Sequence, residues 1–172
     1  MCDNEPVEIV SYDPVWPELF EREKVKLLNV LGESVQIEHI GSTSVVGLCA
    51  KPIIDIMIGL RNLSGVWKYI DSIMCLGYTY VPEYEKLMPE RRYFRKKGFH
   101  IHMVEKESPF WKSHIFFRDF LRKHPETAKE YCELKKKLAK KYRNEREKYT
   151  DAKGPFIQNI LKNLSGIGGK NK

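Results

Sequence analysis

The sequence predicts an α+β domain with a helical C-terminal extension. Three features carry that expectation. Short apolar segments alternate with helical stripes up to about residue 109, the remainder is periodic at helical spacing, and single Gly or Pro residues mark the boundaries. At 172 residues the chain is long enough for one well-formed core and too short for two ordinary enzyme domains. It reads as a single domain with a sheet-containing core over about 7–109, a helical part over about 110–164 and a disordered tail over 165–172.

Val15 to Leu31 carries apolar residues at 16, 19, 20, 27, 28, 30 and 31 among Glu, Arg and Lys. This is close to a 3.6-residue stripe, entered through Asp13-Pro14 and ended by Gly32. Tyr12, Trp16 and Phe20, four apart, belong to its core face. Val35 to Ile40 is a short strand, and Pro52 to Leu60 is a buried one, apolar on both faces except at Asp55. Leu63 to Leu76 reads as a helix with Ser64 as its cap and Gly77 as its stop. Tyr78 to Val81 follows as a strand closed by Pro82. Arg92 to Lys96 and Phe99 to Glu105 flank Lys97-Gly98 as a hairpin. Helices are expected over Pro109 to Lys123, Pro125 to about Tyr142, and Phe156 to Leu164. In the second of these, Tyr131, Leu134, Leu138 and Tyr142 form the buried stripe, which puts Lys135, Lys136, Lys137, Lys140 and Lys141 on the outer side.

Charge is unevenly placed. From Phe110 to Lys172 there are 17 Lys or Arg against 7 Asp or Glu, so the net charge of +7 is entirely C-terminal. Such a segment is either a solvated face or a surface for nucleic-acid phosphates. No apolar run is long enough to span a membrane, and neither a signal nor a transit peptide is present, which points to a cytoplasmic protein. The four cysteines, Cys2, Cys49, Cys75 and Cys132, are widely spaced without a C-x-x-C pair and read as reduced thiols.

Chemistry concentrates in the strand-turn-strand segment around Gly41 and Asp55. Gly41 permits a backbone conformation or a close approach that a side chain would block, and Ser42 can offer a hydroxyl and an amide to a phosphate. A carboxylate buried in an apolar strand without a partner costs several kcal/mol, so Asp55 is expected at the strand's mouth beside a cation or metal. Lys51 is the nearest candidate. In the later hairpin Phe99, Ile101 and Met103 fall on the core face, while His100 and His102 share the other, exposed face. Two such histidines either bind a divalent metal or phosphate, or are plain surface residues. Glu38 and His39 lie on opposite faces of their strand, so at most one points toward Asp55. His114 and Arg118, four apart, suit proton transfer and bidentate phosphate recognition, or ordinary helix bridging. Arg91 and Arg95 share a strand face and either reach a ligand or solubilise an edge.

Four motifs, His39-Ile-Gly-Ser-Thr-Ser-Val, Lys51-Pro-Ile-Ile-Asp-Ile, His100-Ile-His102 and the run from Trp111 through His114, Arg118 and Arg122 to Pro125, closely resemble the GrpB-like family. The resemblance runs from about Val7 to Leu161. It implies a nucleotidyltransferase-like fold, a small mixed sheet flanked by helices. In that superfamily an Asp-x-Asp pair holds two divalent ions that activate the attacking hydroxyl and neutralise the transferred phosphoryl group. Asp55 matches the first acid, but the second position is Met57, too soft and neutral to replace a carboxylate for Mg. A further ligand drawn from His100, His102 or Glu105 favours Mn, Fe or Zn.

The expectation is therefore a protein that binds or transfers a nucleotide or other phosphate-rich ligand with a divalent metal (Mg, Mn or Zn). If it is an enzyme, it is a metal-dependent nucleotidyltransferase lacking the second acid. Asp55, His102 and Lys51 are the candidate catalytic residues. Gly41, Ser42, Thr43, Arg118 and Arg95 are the candidate phosphate contacts, and Asp55, His100 and His102 the candidate metal ligands. The alternative is a non-catalytic module whose basic C-terminal helices bind nucleic acid or a protein partner.

Overall fold

Five strands form one mixed sheet in the order β1-β2-β5-β4-β3. The structure, a computed structural model, describes residues 6–167, with side chains through residue 162. The strands are β1 (Gln36–Ile40), β2 (Ile54–Leu60), β3 (Thr79–Tyr80), β4 (Arg91–Lys96) and β5 (Phe99–Glu105). β2 and β5 run parallel, with Asp55 opposite His100 and Met57 opposite His102. The other three pairings are antiparallel.

Alternation along the strands assigns the two faces. Ile54, Ile56, Ile58 and Leu60 of β2, Ile101 and Met103 of β5, and Phe94 of β4 form the main core with helix α1 (Trp16–Leu31) and helix α2 (Trp67–Cys75). Glu23 of α1 is buried there, accepting from Tyr78, Lys26 and Lys96, which ties the helix to the β4 side of the sheet. On the opposite face, helix α3 (Pro109–Lys123) lays Trp111 over Met57, Ile40 and Val104. A Cβ on Gly59 would stand 2.6 Å from the Trp111 ring, so glycine is what lets α3 come this close. Helices α4 (Pro125–Lys141), α5 (Arg146–Ala152) and α6 (Gly154–Ile167) complete that side. Leu121, Tyr131 and Ile160 bind the helical part to Val45 and Leu48, in the segment between β1 and β2.

Several boundaries differ from the sequence expectation for local reasons. α2 begins at Trp67, because the Ser64 hydroxyl donates to Asn62 Oδ1 at 2.6 Å instead of capping the helix. α5 has only seven residues, too few to show a stripe, and α6 begins at Gly154. α6 continues to Ile167, and the rest of the expected tail, 168–172, lies outside the described residues. Among the described residues no helix is long and apolar enough to cross a membrane.

The cysteine reading is corrected. Cys49 and Cys132 form a disulfide with Cα atoms 5.5 Å apart, while Cys75 is free and exposed. The pairing was hidden because 83 residues separate the partners, and only the docking of α4 on the β1–β2 connection brings them together. Closing so long a loop restricts the unfolded chain, so reduction is expected to lower the unfolding free energy by about 2–4 kcal/mol. Urea denaturation with and without a reductant measures this, and an unchanged midpoint would contradict the bond's role.

Candidate functional site

The face of the sheet bearing Asp55 is roofed by the helical part, and between them lies a cleft of about 400 Å³. Asp55 enters it from β2, His100 and His102 from β5, and Arg91, Tyr93 and Arg95 from β4. The Gly41–Thr43 turn and Lys51 form one side. The roof contributes Ser113 and His114 of α3, Tyr131 and Lys135 of α4, Arg146 and Tyr149 of α5, and Lys153.

The carboxylate sits where the sequence places it, but its partners differ. His100 Nδ1 lies 3.4 Å and His102 Nε2 3.3 Å from the same oxygen, Asp55 Oδ1. Lys51, expected as the partner, instead stands over the Tyr149 ring at 5.3 Å. The tautomer of His102 follows from its neighbours. Arg91 Nη1 is 3.3 Å from His102 Nδ1 and can only donate, so Nδ1 accepts and Nε2 carries the proton given to Asp55. Burial keeps the His102 imidazole below its ordinary value, against the pull of Asp55. Burial pushes the Asp55 carboxyl up, but hydrogen bonds from His100 and His102 outweigh it and hold the group well below the usual carboxylate range. Asp55 is thus ionised, with 30% of its side chain still exposed to the cleft. The two histidines, expected on an exposed face, are largely covered because the helices roof it.

Gly41 has φ +71, and a Cβ there would meet Asp55 Oδ2 at 2.6 Å, so the turn can press against the acid only as glycine. Ser42 Oγ accepts a 2.8 Å hydrogen bond from Lys135. Thr43 is buried, its hydroxyl donating to the Ile53 carbonyl at 3.2 Å and accepting from His39 Nε2 at 3.0 Å. His39 stacks on Phe20 at 4.6 Å, and burial depresses its pKa to about 4. His114 lines the cleft, donates from Nδ1 to the Phe110 carbonyl at 2.8 Å, and burial lowers it to about 4. Arg118 is not brought to the cleft: it binds Glu38 at 2.7 Å and Asp119 at 2.8 Å. Arg95 is.

Three cationic contributors escaped the sequence reading, Lys135, Arg146 and Lys153, while Arg91, open there between ligand and edge, lines the cleft. Lys135 was assigned to the outer side of its helix, yet it is 2% exposed. Its position four residues after Tyr131 was the available signal. Its amine donates to Ser42 Oγ and the Cys49 carbonyl and lies 4.6 Å from the Tyr131 ring centre. Lys153 stands 4.6 Å over Tyr149. Among the described residues, Lys51, Lys135, Arg146 and Lys153 make no ion pair with a carboxylate. Burial, then the charge of Lys153, lowers Lys135 to about 7. Burial, then Arg146 and Lys153, lowers Lys51 to about 8. The Nε of Arg91 is buried and unbonded. Among the described residues, six Lys and Arg side chains therefore share the cleft with one carboxylate, that of Asp55.

The donor set does not fit a two-ion centre. Met57, where a second acid would stand, is fully buried beneath Trp111. Among the described residues no group of three or more His, Cys, Asp or Glu side chains is arranged to hold a metal ion.

A mixed sheet presenting one acid and two histidines beneath a helical roof defines an α+β protein with a cleft lined by lysines and arginines. A family model described as GrpB protein matches residues 6–163, and the chain belongs to this family. It is similar to UPF0157 protein YqkA of Bacillus subtilis, 41% identical over 162 residues, an alignment spanning 91% of this chain and 47% of that protein. It is 36% identical over 168 residues to glutamate-rich protein GrpB of Alkalihalophilus pseudofirmus, covering 92% of this chain and 95% of that one. The crystal structure of conserved protein GrpB from Enterococcus faecalis, 36% identical, superposes with a TM-score of 0.82 over 91% of this chain and 96% of that one.

The depressed lysines set a pH dependence. Between their folded values, about 7 for Lys135 and about 8 for Lys51, and the ordinary 10.5, the unfolded chain binds more protons than the folded one. Stability without ligand is therefore expected to rise from about pH 7 to about pH 10, and Lys135→Met to reduce the slope. Denaturant titrations at several pH values measure it, and an unchanged slope in the variant would show Lys135 titrating normally.

Proposed function

We propose that the cleft binds a phosphate-rich small molecule, a nucleotide foremost, with its phosphates among Lys51, Arg91, Arg95, Lys135, Arg146 and Lys153. The observation that carries this reading is the trio Lys51, Lys135 and Lys153, desolvated by burial and making no ion pair with a carboxylate among the described residues. A buried ammonium is unfavourable unless it is paired, and these side chains repel one another until a multiply charged anion arrives. Phosphate oxygens meet that need with charge-assisted hydrogen bonds. Asp55, held ionised by His100 and His102, lies at the wall of the same cleft, where a hydroxyl or water beside a bound phosphate would meet it.

Transfer of a nucleotide and use of a divalent metal are the finer reading, and their support is the Gly41-Ser42 turn facing Asp55 as in the superfamily the motifs resemble. Met57 counts against its two-ion form. The interaction-module reading draws on the C-terminal charge excess, but part of that excess, Lys135, Arg146 and Lys153, points into the cleft. Lys136 on the outer face is paired with Glu133 at 2.9 Å.

Calorimetric titration with nucleoside triphosphates, with Mg, Mn and Zn each present or absent, tests the proposal on wild type, Arg146→Ala and Asp55→Ala. Arg146→Ala is expected to weaken binding about tenfold or more, as loss of a charge-assisted contact of about 1.5–3 kcal/mol requires. Binding that needs a metal and is abolished in Asp55→Ala would favour the metal-dependent reading. Absence of binding under every condition would sink the proposal and leave a salt-sensitive RNA-binding assay as the test of the interaction module.

A further inference from the structure

The cleft does not end at its cations. On one side it opens into a groove between the turn Pro82–Lys86, continued by Leu87 and Met88, and the start of α5. Tyr84, Arg91, Arg146 and Thr150 line both spaces, so a ligand anchored in the cleft can extend into the groove without a break.

Resting on the phosphate reading of the cleft, we infer that this groove seats the uncharged planar base of a nucleotide whose phosphates occupy the cations. Three observations point to this. First, Leu87 is 78% and Met88 40% exposed, the apolar pair of the groove's rim. Tyr84 adds a ring flanked by the Arg91 guanidinium at 5.9 Å and the Tyr93 ring at 5.3 Å. Flat aromatic and thioether or aliphatic surfaces are what a heteroaromatic ring stacks on. Second, the groove's charge differs in kind from the cleft's. Arg91, Arg146 and Lys148 are matched by Glu145, Glu147 and Asp151, so it offers a neutral group a place and a further phosphate none. Third, Asn144 and Asp151 supply donor and acceptor atoms at the rim, as the edge of a base requires. The cleft's neighbour reached past Ser113 and Leu161 is lined by Glu107, Pro109, Lys112, Gln158 and Lys162 and, among the described residues, presents no aromatic ring.

The test compares ATP, GTP, CTP and UTP with inorganic tripolyphosphate in calorimetric titrations of wild type and of the double variant Leu87→Ser, Met88→Ser. Both side chains are exposed, so the variant should fold normally. Wild type is expected to bind at least one nucleotide about tenfold more tightly than tripolyphosphate. The variant should lose about fivefold or more of that nucleotide's affinity while its tripolyphosphate affinity stays unchanged. Equal wild-type affinity for tripolyphosphate and all four nucleotides overturns the inference. So does an equal loss for both ligand kinds in the variant, or no loss for either. Failure of wild type to bind tripolyphosphate and nucleotides alike would instead overturn the cleft reading on which the inference stands.

Discussion

The amine of Lys135 is buried, and among the described residues its hydrogen-bond acceptors are neutral, the Ser42 hydroxyl and the Cys49 carbonyl. That contact, reinforced by the Cys49–Cys132 disulfide one turn earlier on the same helix, fixes α4 against the connection between β1 and β2. Docking α4 there sets the position of α5 and α6, and so brings Arg146, Tyr149 and Lys153 over the sheet. The helical part is thus held onto the sheet partly by a group whose charge the fold itself disfavours. Placing positive charge where water is excluded and no carboxylate answers it raises the energy of the free protein and favours whatever anion relieves it.

The sheet supplies the opposite element. Parallel pairing of β2 with β5 puts Asp55 beside His100, and the period of two puts His102 on the same face. Arg91, which can only donate, fixes the His102 tautomer, and both imidazoles then serve Asp55. The carboxylate is held ionised by hydrogen bonds from the two imidazoles, with no ion pair to the lysines and arginines of the cleft among the described residues. Met57 beneath Trp111 shows that the position next along this face has been given to packing of α3.

Much of this was legible in the sequence. Alternation in Phe99–Glu105 and the lone acid of Ile54–Leu60 identified the central strands and the residues facing away from the core, because strand periodicity is local. The Pro109–Lys123 helix was legible from its own stripe and from Pro109. The site was legible only where it lies on the sheet. Lys135 was lost because a lysine in a lysine-rich helix is normally solvated, and Arg146 and Lys153 because they sit in and beside a helix too short to show a stripe. Arg118 looked like a phosphate contact from its spacing to His114, yet Glu38, eighty residues away in sequence, claims it. The disulfide and the outer half of the cleft are products of tertiary docking, which no local pattern records.

A charge balance on binding tests the central claim most directly. If an anion completes the cleft, it restores protons to Lys135 and Lys51 as it enters, because a nearby negative charge favours the ammonium form. Inorganic tripolyphosphate should be titrated calorimetrically at about pH 8, in two buffers of different ionisation enthalpy. Net proton uptake on binding, reduced in Lys135→Met, is the predicted result. Binding without proton uptake would contradict the account, because it would place the anion away from the buried lysines.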